Sequence, residues 1–324
     1  LGRLGPPPPR AKSDPASLRA LGSAASLAAA AGRLGGRDTA GVAWAFAKVA
    51  HHDPELCRAL VARACRLVGE MRGAPGEGGG FRHRDLATLL WALATLSAES
   101  ASLLVSEVAV DPHRVLANFA PRDLANTAWS LERLRATDAA LLDAVSSKFA
   151  DAAVCAGSTD GGAPACKPQD LSNVAWSVAR LRFQSEPLME AVAKLAVQSI
   201  RDFEPQHLAN VAWSWATLQE YDQSLLDAIA DAAVGSSPSF VAQDVSNLAW
   251  AMATLRHRDA ELSQSLAAAT LRLGGGSLAT QDIATAVWAL VTLGFEGPAL
   301  EKLASLAVAR APDLRPAEVD MLLR

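Results

Sequence analysis

The chain has 324 residues, of which half are hydrophobic, and a net charge of −4 at pH 7. Its apolar runs are shorter than the roughly 18 residues that a membrane-spanning helix needs, so the composition argues against a membrane span and predicts a soluble protein. Four cysteines without a C-x-x-C pair argue against a zinc ribbon or a redox motif, and a single tyrosine with abundant alanine favours closely packed helices.

The start of the chain differs from the rest in composition. Residues 1–13 are basic, rich in proline and free of acids. This segment is either the remnant of an organellar targeting peptide or a disordered linker. We assign residues 14–324 to one repeat domain, which ends in an incomplete eighth repeat at 297–324.

A tryptophan-centred motif recurs along the chain. The fullest copy, FEPQHLANVAWSWATL at 203–218, returns around each of seven marker tryptophans, which are 47, 38, 47, 37, 37 and 38 residues apart. They are Trp44, Trp91, Trp129, Trp176, Trp213, Trp250 and Trp288. The two long intervals contain Gly-rich insertions at 73–80 and 157–165, which we expect to project as loops. Self-similarity at this period predicts an all-α fold, a right-handed α-solenoid of about seven helical-hairpin repeats of 37–38 residues.

The first helix of each repeat, the A helix, is marked by a capping residue nine positions after the preceding tryptophan. Six of the seven residues there are Asp or Ser, whose side chains accept hydrogen bonds from the first N–H groups of a helix. They are Asp53, Ser100, Asp138, Ser185, Asp222 and Asp259, and the seventh residue is Gly297. The pair Asp14-Pro15 gives the same signal and predicts a first A helix from about 15 to 33.

The second helix, the B helix, contains the tryptophan and is predicted to begin about eight residues before it. Pro121, Pro168 and Pro205 occupy that position, which suits the first turn of a helix. Six repeats place Asp two residues later, where the helix dipole favours a negative charge. His207 takes this position once, and we interpret it as tolerated rather than functional.

Helical periodicity divides the B helix into faces, described here by offset from the tryptophan. Offsets −5, −2, +2 and +5 are mostly large and apolar, and they predict the core. Offsets −4, −1 and +3 are mostly Ala or Ser and should let a neighbouring helix approach closely. The tryptophan lies at the edge of this small-residue face. We interpret it as packing between repeats, with stacking on nucleic-acid bases as the alternative.

Offsets −7, −3, +1 and +4 form a further face, named the polar row. Its 28 positions contain six positive charges and no negative charge. Arg offers a charge-assisted fork to phosphate, and Asn and Gln pair a donor with an acceptor, as base edges require. The candidate RNA-binding residues are Arg37, Lys48, Arg84, Arg122, Asn126, Arg133, Gln169, Asn173, Arg180, Gln206, Asn210, Gln243, Asn247 and Gln281.

Two interpretations of the row stay open. In the structural one, Asn side chains bond across adjacent repeats and the Arg side chains are merely solvated, since buried polar groups must find partners. In the functional one, variation at fixed offsets lets each repeat read RNA. The Asn column alone does not decide between them, whereas the Arg and Lys positions favour function.

Motifs for catalysis are missing. The chain has no H-E-x-x-H, G-x-S-x-G or P-loop pattern, and its six histidines are scattered. We therefore predict a protein that is not an enzyme and has no catalytic residues, metal site or cofactor. A disulfide between Cys155 and Cys166, which flank an insertion, is possible but not favoured.

The motif PQ-x-LANVAW-x-x-A-x-L resembles that of the octotricopeptide and heptatricopeptide repeat families, which include FAST-kinase-like and RAP-associated proteins. The resemblance covers 15–324, although the PQ pair is complete only at Pro168-Gln169 and Pro205-Gln206. It implies helical-hairpin repeats that bind RNA in mitochondria or plastids and act in RNA processing, stability or translation, or in an organellar ribosome. The nuclease-like RAP module frequent in these families is not visible here.

These observations lead to two functional hypotheses. The first is an organellar RNA-binding helical repeat protein whose partners are single-stranded or ribosomal RNA and other proteins of an organellar complex. The alternative is a protein-binding scaffold subunit of a large organellar complex, in which the groove grips a peptide or a helix.

Overall fold

A computed structural model describes residues 14–72, 81–156, 166–274 and 278–310. These residues form sixteen α-helices and two short 3-10 turns, at Ile200–Asp202 and Ser237–Ser239, and none of them is in a strand. The helices are α1 (Pro15–Ala30), α2 (Gly36–Lys48), α3 (Pro54–Met71), α4 (His83–Thr95), α5 (Ala101–Ala109), α6 (Pro112–Val115), α7 (Pro121–Arg133), α8 (Ala139–Ala156), α9 (Pro168–Arg180), α10 (Glu186–Ser199), α11 (Pro205–Leu218), α12 (Gln223–Ser236), α13 (Ala242–Thr254), α14 (Ala260–Leu273), α15 (Thr280–Thr292) and α16 (Pro298–Ala309).

The predicted all-α helical-repeat fold is confirmed. Seven A–B hairpins follow one another within the described residues, and α16 is the A helix of a further repeat. The third hairpin departs from the pattern because its A helix is broken into α5 and α6. Pro112 begins α6, and the Asp111 carboxylate accepts a hydrogen bond from the backbone N–H of Arg114. Proline cannot continue the preceding helix, so the chain caps and starts a new one.

The chain divides into two compact units, unit 1 at 1–191 and unit 2 at 192–324. In unit 1, the B helices α2, α4, α7 and α9 pack side by side in that order, and the A helices α1, α3 and α5 form a second layer. In unit 2, α11, α13 and α15 form the B layer, and α12, α14 and α16 form the A layer. Each unit is therefore a two-layer array in which a helix contacts its counterpart in the next repeat.

Close packing of the B helices depends on the small residues predicted for it. Ala128, Ala175, Ala212 and Ala249 at offset −1 are at most 1% exposed. Offset −5 is equally buried, from Thr39 to Ile283, with at most 1% of any side chain exposed. The two predicted inner faces of the B helix are thus confirmed for these columns.

Aspartates cap the A helices as the spacing predicts. The carboxylates of Asp53, Asp138, Asp222 and Asp259 each accept a hydrogen bond from a backbone N–H two or three residues later, and Asp14 does the same. Ser100 is the exception, because its side chain makes no capping bond at the start of α5. A cap of this kind stabilises a helix by about 1 kcal/mol.

The B helices all end in the same way. The residue at offset +6 has a positive φ in every repeat, between 51° and 78°, and only the last of these residues is glycine. They are Ala50, Ser97, Arg135, Arg182, Gln219, Arg256 and Gly294. The next N–H donates to the carbonyl oxygen at offset +2 over 2.8–3.0 Å, for example from Ala136 to Leu131. This Schellman closure satisfies carbonyls at the helix end and turns the chain into the next A helix, which always begins at offset +10.

Several sequence predictions fall outside the described residues. They are the nature of 1–13, the projection of the insertions at 73–80 and 157–165, and the start of an eighth B helix after residue 314. The side chain of Cys155 also lies outside the described set, while Cys166 is a buried free thiol.

Candidate nucleic-acid interface

The six cations of the polar row lie on neighbouring B helices of unit 1. Because every B helix begins at offset −8, equal offsets occupy equivalent places on α2, α4, α7 and α9. The five arginines are exposed, and Lys48 is half-buried. These arginines are Arg37, Arg84, Arg122, Arg133 and Arg180. The structure therefore brings the predicted cations together on one surface.

The row in unit 2 has amides instead of cations. Gln243 and Gln281 are exposed, Gln206 and Asn247 are half-buried, and Asn210 is only 5% exposed. The Gln243 side-chain amide donates to Oδ1 of Asn247 over 2.9 Å, within one helix. The remaining amides, Asn126, Gln169 and Asn173 of unit 1, are half-buried. Asn210 thus has little surface to offer a ligand, whereas Gln243 and Gln281 are accessible.

Acidic side chains lie near the arginines of the polar row, although the row itself contains no acid. Burial raises the pKa values of Asp123 and Asp170, and the positive charges of Arg84 and Arg122 on Asp123, and of Arg122 on Asp170, act in the opposite direction. Nε of Arg180 lies 3.3 Å from Oε1 of Glu132, on the preceding B helix. Asp123 follows Arg122 directly in α7, whereas Asp170 and Glu132 each lie on a B helix adjacent to that of their arginine, which a single-helix projection does not reveal. The row is free of acids but is bordered by them.

His207 has a structural role. In three repeats the backbone N–H before the helix donates to the Asp at offset −6: Lys167 to Asp170, Val241 to Asp244 and Ala279 to Asp282, over 3.1–3.2 Å. In α11 the N–H of Glu204 donates to Nδ1 of His207 over 3.2 Å. The imidazole therefore replaces the carboxylate as a hydrogen-bond acceptor, which explains why a histidine fits this position.

The marker tryptophans are less buried than packing residues would be. Trp44 is 46% exposed and the other six are half-buried. The rings do meet between repeats, since the centroids of Trp213 and Trp250 are 6.2 Å apart with an interplanar angle of 35°. The expectation of packing between repeats is thus met for this pair, but the rings stay at the surface. By contrast Trp215, two residues after Trp213, is 2% exposed and belongs to the core.

Cations of the row lie over the tryptophan rings. Nζ of Lys48 is 5.6 Å from the ring centroid of Trp44 and 5.4 Å from that of Trp91 on the next B helix. Cζ of Arg180 is 5.5 Å from the ring of Trp176. At 100° per residue the tryptophan is only about 20° from offset −7 and about 40° from offset +4. The tryptophan rings and the polar row therefore form one continuous surface, as the angular spacing along the helix predicts.

The part of the chain that the structure describes contains no group of three or more His, Cys, Asp or Glu side chains placed to hold a metal ion. Among the same residues, no helix is long and apolar enough to cross a membrane.

Comparison with known proteins gives a family. None of the curated proteins matches this chain. A family model described as RNA-editing substrate-binding complex 6 protein matches residues 30–260, which is more than two thirds of the chain. The match does not confirm the resemblance to the octotricopeptide and heptatricopeptide repeat families. The chain belongs to the family of RNA-editing substrate-binding complex 6 proteins.

Proposed function

We propose that this protein is an RNA-binding scaffold subunit of an RNA-editing complex. It holds single-stranded RNA along the polar row of its B helices and presents it to other proteins of the complex. The observation that carries the proposal is the surface of unit 1, where six cations at fixed offsets lie on four adjacent helices. The family description supplies the process in which such a surface would act.

The arginines of unit 1 are suited to phosphate rather than to base edges. Guanidinium groups donate bidentate hydrogen bonds to phosphate oxygens, and such contacts carry affinity but little sequence information. The bordering acids, Glu132 and Asp170 among them, reduce the positive potential of the row. Glu132 keeps Arg180 in place between binding events, and an arriving phosphate competes with this carboxylate. Binding should therefore be moderate and strongly salt-dependent.

The accessible amides of unit 2 would add hydrogen bonds to base edges. Gln243 and Gln281 are exposed, and a carboxamide can donate and accept at once. We assign no catalytic role to any residue of the row, and the protein acts by binding. An organellar location is part of the proposal, in the mitochondrion rather than the plastid.

A protein-binding scaffold without RNA contact is the second candidate. The pairing of Arg180 with Glu132 and the acidic neighbours of Arg84 and Arg122 favour it, since a row whose charges are balanced internally would serve a peptide as well as a phosphate. Under this alternative the cations would hold neighbouring acidic side chains in place and would not contribute to affinity for RNA.

Salt-dependent RNA binding separates the two candidates. The double variant Arg122→Gln and Arg133→Gln should weaken binding of single-stranded RNA and lower the slope of log affinity against log salt by about 0.7 for each phosphate contact removed. The measurement is fluorescence anisotropy of a labelled RNA titrated with the full chain at several salt concentrations.

A matched control removes the same charge away from the row. Arg19 and Arg58 are exposed on the A helices α1 and α3. Arg19→Gln with Arg58→Gln should leave both affinity and slope nearly unchanged. If both double variants behave alike, or if neither changes the slope, the row is not the RNA surface and the protein-binding scaffold is the better account.

A further inference from the structure

The marker tryptophans carry a second role on the same surface. We propose that their exposed rings stack on unpaired bases of single-stranded RNA, so that the protein binds the bases as well as the backbone. This inference rests on the proposed RNA-binding function and adds to it the part of the nucleotide that is recognised.

The rings of the marker tryptophans are partly exposed to solvent. Large apolar side chains that serve only as packing are buried, as Trp215 is at 2% in the same helix as the half-buried Trp213. In all seven repeats the marker ring keeps part of its surface accessible to solvent, up to 46% at Trp44. Leaving a tryptophan partly in water forgoes some of the stabilisation that its burial would give. Repeating that arrangement seven times indicates that the exposed part of the ring has a use.

A cation lies beside two of the rings. Lys48 lies between Trp44 and Trp91, with its ammonium 5.4–5.6 Å from both ring centroids. Contacts of this kind stabilise an exposed site only weakly, so they help to fix the rings without explaining their exposure. They also place a cation within reach of any ligand that lies on the rings. A nucleotide needs both groups, because its base is flat and apolar on its faces and its phosphate is an anion.

The groups that border the rings indicate which kind of partner the surface fits. The rings are bordered by cations in unit 1 and by amides in unit 2. Such borders complement a polar, negatively charged chain that carries flat apolar rings. Stacking is tolerant of sequence because every base has a π-face, which fits the presence of the same ring in every repeat. Bases in a duplex are already stacked and paired, so the surface selects single strands.

Two oligonucleotides of equal length and equal phosphate count test the inference on the unmodified full chain. One is oligoadenylate and the other has the same backbone with every base removed. We expect the base-bearing strand to bind at least tenfold more tightly at the same salt concentration, because stacking contributes substantially at each base. The salt slope should be the same for both, since the phosphate contacts are shared.

A pair of variants assigns the effect to a ring. Trp44 is chosen because it is the most exposed, and Trp44→Leu keeps an apolar side chain while removing the π-face. It should lose about tenfold in affinity for oligoadenylate and nothing for the abasic strand. Trp44→Phe should recover most of the loss, and thermal melts of both variants check that the fold is intact.

The outcomes separate a failure of base stacking from a failure of RNA binding as a whole. Equal affinity of the wild-type chain for the two strands, with binding to both, overturns the stacking role and leaves the proposed backbone binding in place. The absence of binding to either strand overturns the proposed function as well, and the rings then become a docking surface for a protein. A Trp44→Leu variant that melts normally and keeps its preference for bases shows that this ring is not used.

Discussion

The two units carry different surfaces on the same scaffold. In both, the B helices begin at offset −8, the residue at +6 has a positive φ, and the A helices begin at +10. The polar row, however, has six cations in unit 1 and none in unit 2, where Gln and Thr take the corresponding positions. Buried positions and turns therefore specify the fold, while the row can change from repeat to repeat without disturbing it.

Under the proposed function, the difference also separates two ways of contacting RNA. Arginines bind backbone regardless of sequence, and amides are suited to base edges. Only the tryptophan is shared by every repeat on this surface. The comparison predicts that changes in the core have equal consequences in both units, whereas changes in the row do not.

Core substitutions should give the largest effects and should not distinguish the units. Leu131 in unit 1 and Trp215 in unit 2 both occupy offset +2 and are 1% and 2% exposed. Leu131→Ala and Trp215→Ala should each lower the free energy of unfolding by about 3–5 kcal/mol, because each leaves a cavity. Urea denaturation followed by circular dichroism measures this. Trp213→Ala is the control, with a clearly smaller loss since its ring is half-buried; equal losses at 213 and 215 would contradict the distinction between surface and core rings.

Transplanting charge into unit 2 should have an intermediate effect. Gln206→Arg with Gln243→Arg copies offset −7 of unit 1 onto α11 and α13. If RNA runs along the row of unit 2, affinity should rise and the salt slope should steepen by about 0.7 for each new phosphate contact. Salt titration of RNA binding is again the measurement. An unchanged slope would restrict the RNA path to unit 1.

Turn substitutions should give the smallest effects, with opposite signs at a glycine and at an arginine of the same turn position. Gly294 follows α15 with a φ of 78°, and a Cβ added there would meet open space. Gly294→Ala should therefore lower the free energy of unfolding by about 1 kcal/mol, the cost of a left-handed backbone conformation for a residue with a Cβ. Arg135 ends α7 with a φ of 54°, and Arg135→Gly should gain about 0.5 kcal/mol, because relief of strain is partly offset by the freedom of glycine in the unfolded chain. Thermal melts resolve both, and a loss at Arg135→Gly would show that this side chain makes a stabilising contact.

Much of this fold could be predicted from local patterns. The tryptophan spacing gave the repeat length, and Asp53, Asp138, Asp222 and Asp259 marked the starts of A helices because a capping bond is made within three residues. The break at Pro112 carried the same Asp-Pro signal as Asp14-Pro15 and could have been found in the same way.

Features that depend on contacts between repeats could not be predicted. Exposure of the rings depends on how closely the next helix approaches, and the pairing of Arg180 with Glu132 joins residues 48 positions apart. The positive φ at offset +6 was also hidden, because six of the seven residues there are not glycine. For the site, the sequence identified which side chains lie on the row, but not that Asn210 would be covered or that Asp170 would lie near Arg122 of the preceding repeat.

The fixed turn after each B helix has a consequence for how such a chain can grow. From the tryptophan to the next A helix the count is always ten residues, closed by local hydrogen bonds, so an insertion there would break the phase between repeats. The connection from A helix to B helix bears no such constraint, and both Gly-rich insertions lie in it, between α3 and α4 and between α8 and α9. Duplicated segments cut at the A-to-B connections would rejoin in register. New peptide segments, from epitope tags to whole binding modules, should therefore be grafted at 73–80 or 157–165, where the chain has already accepted added length.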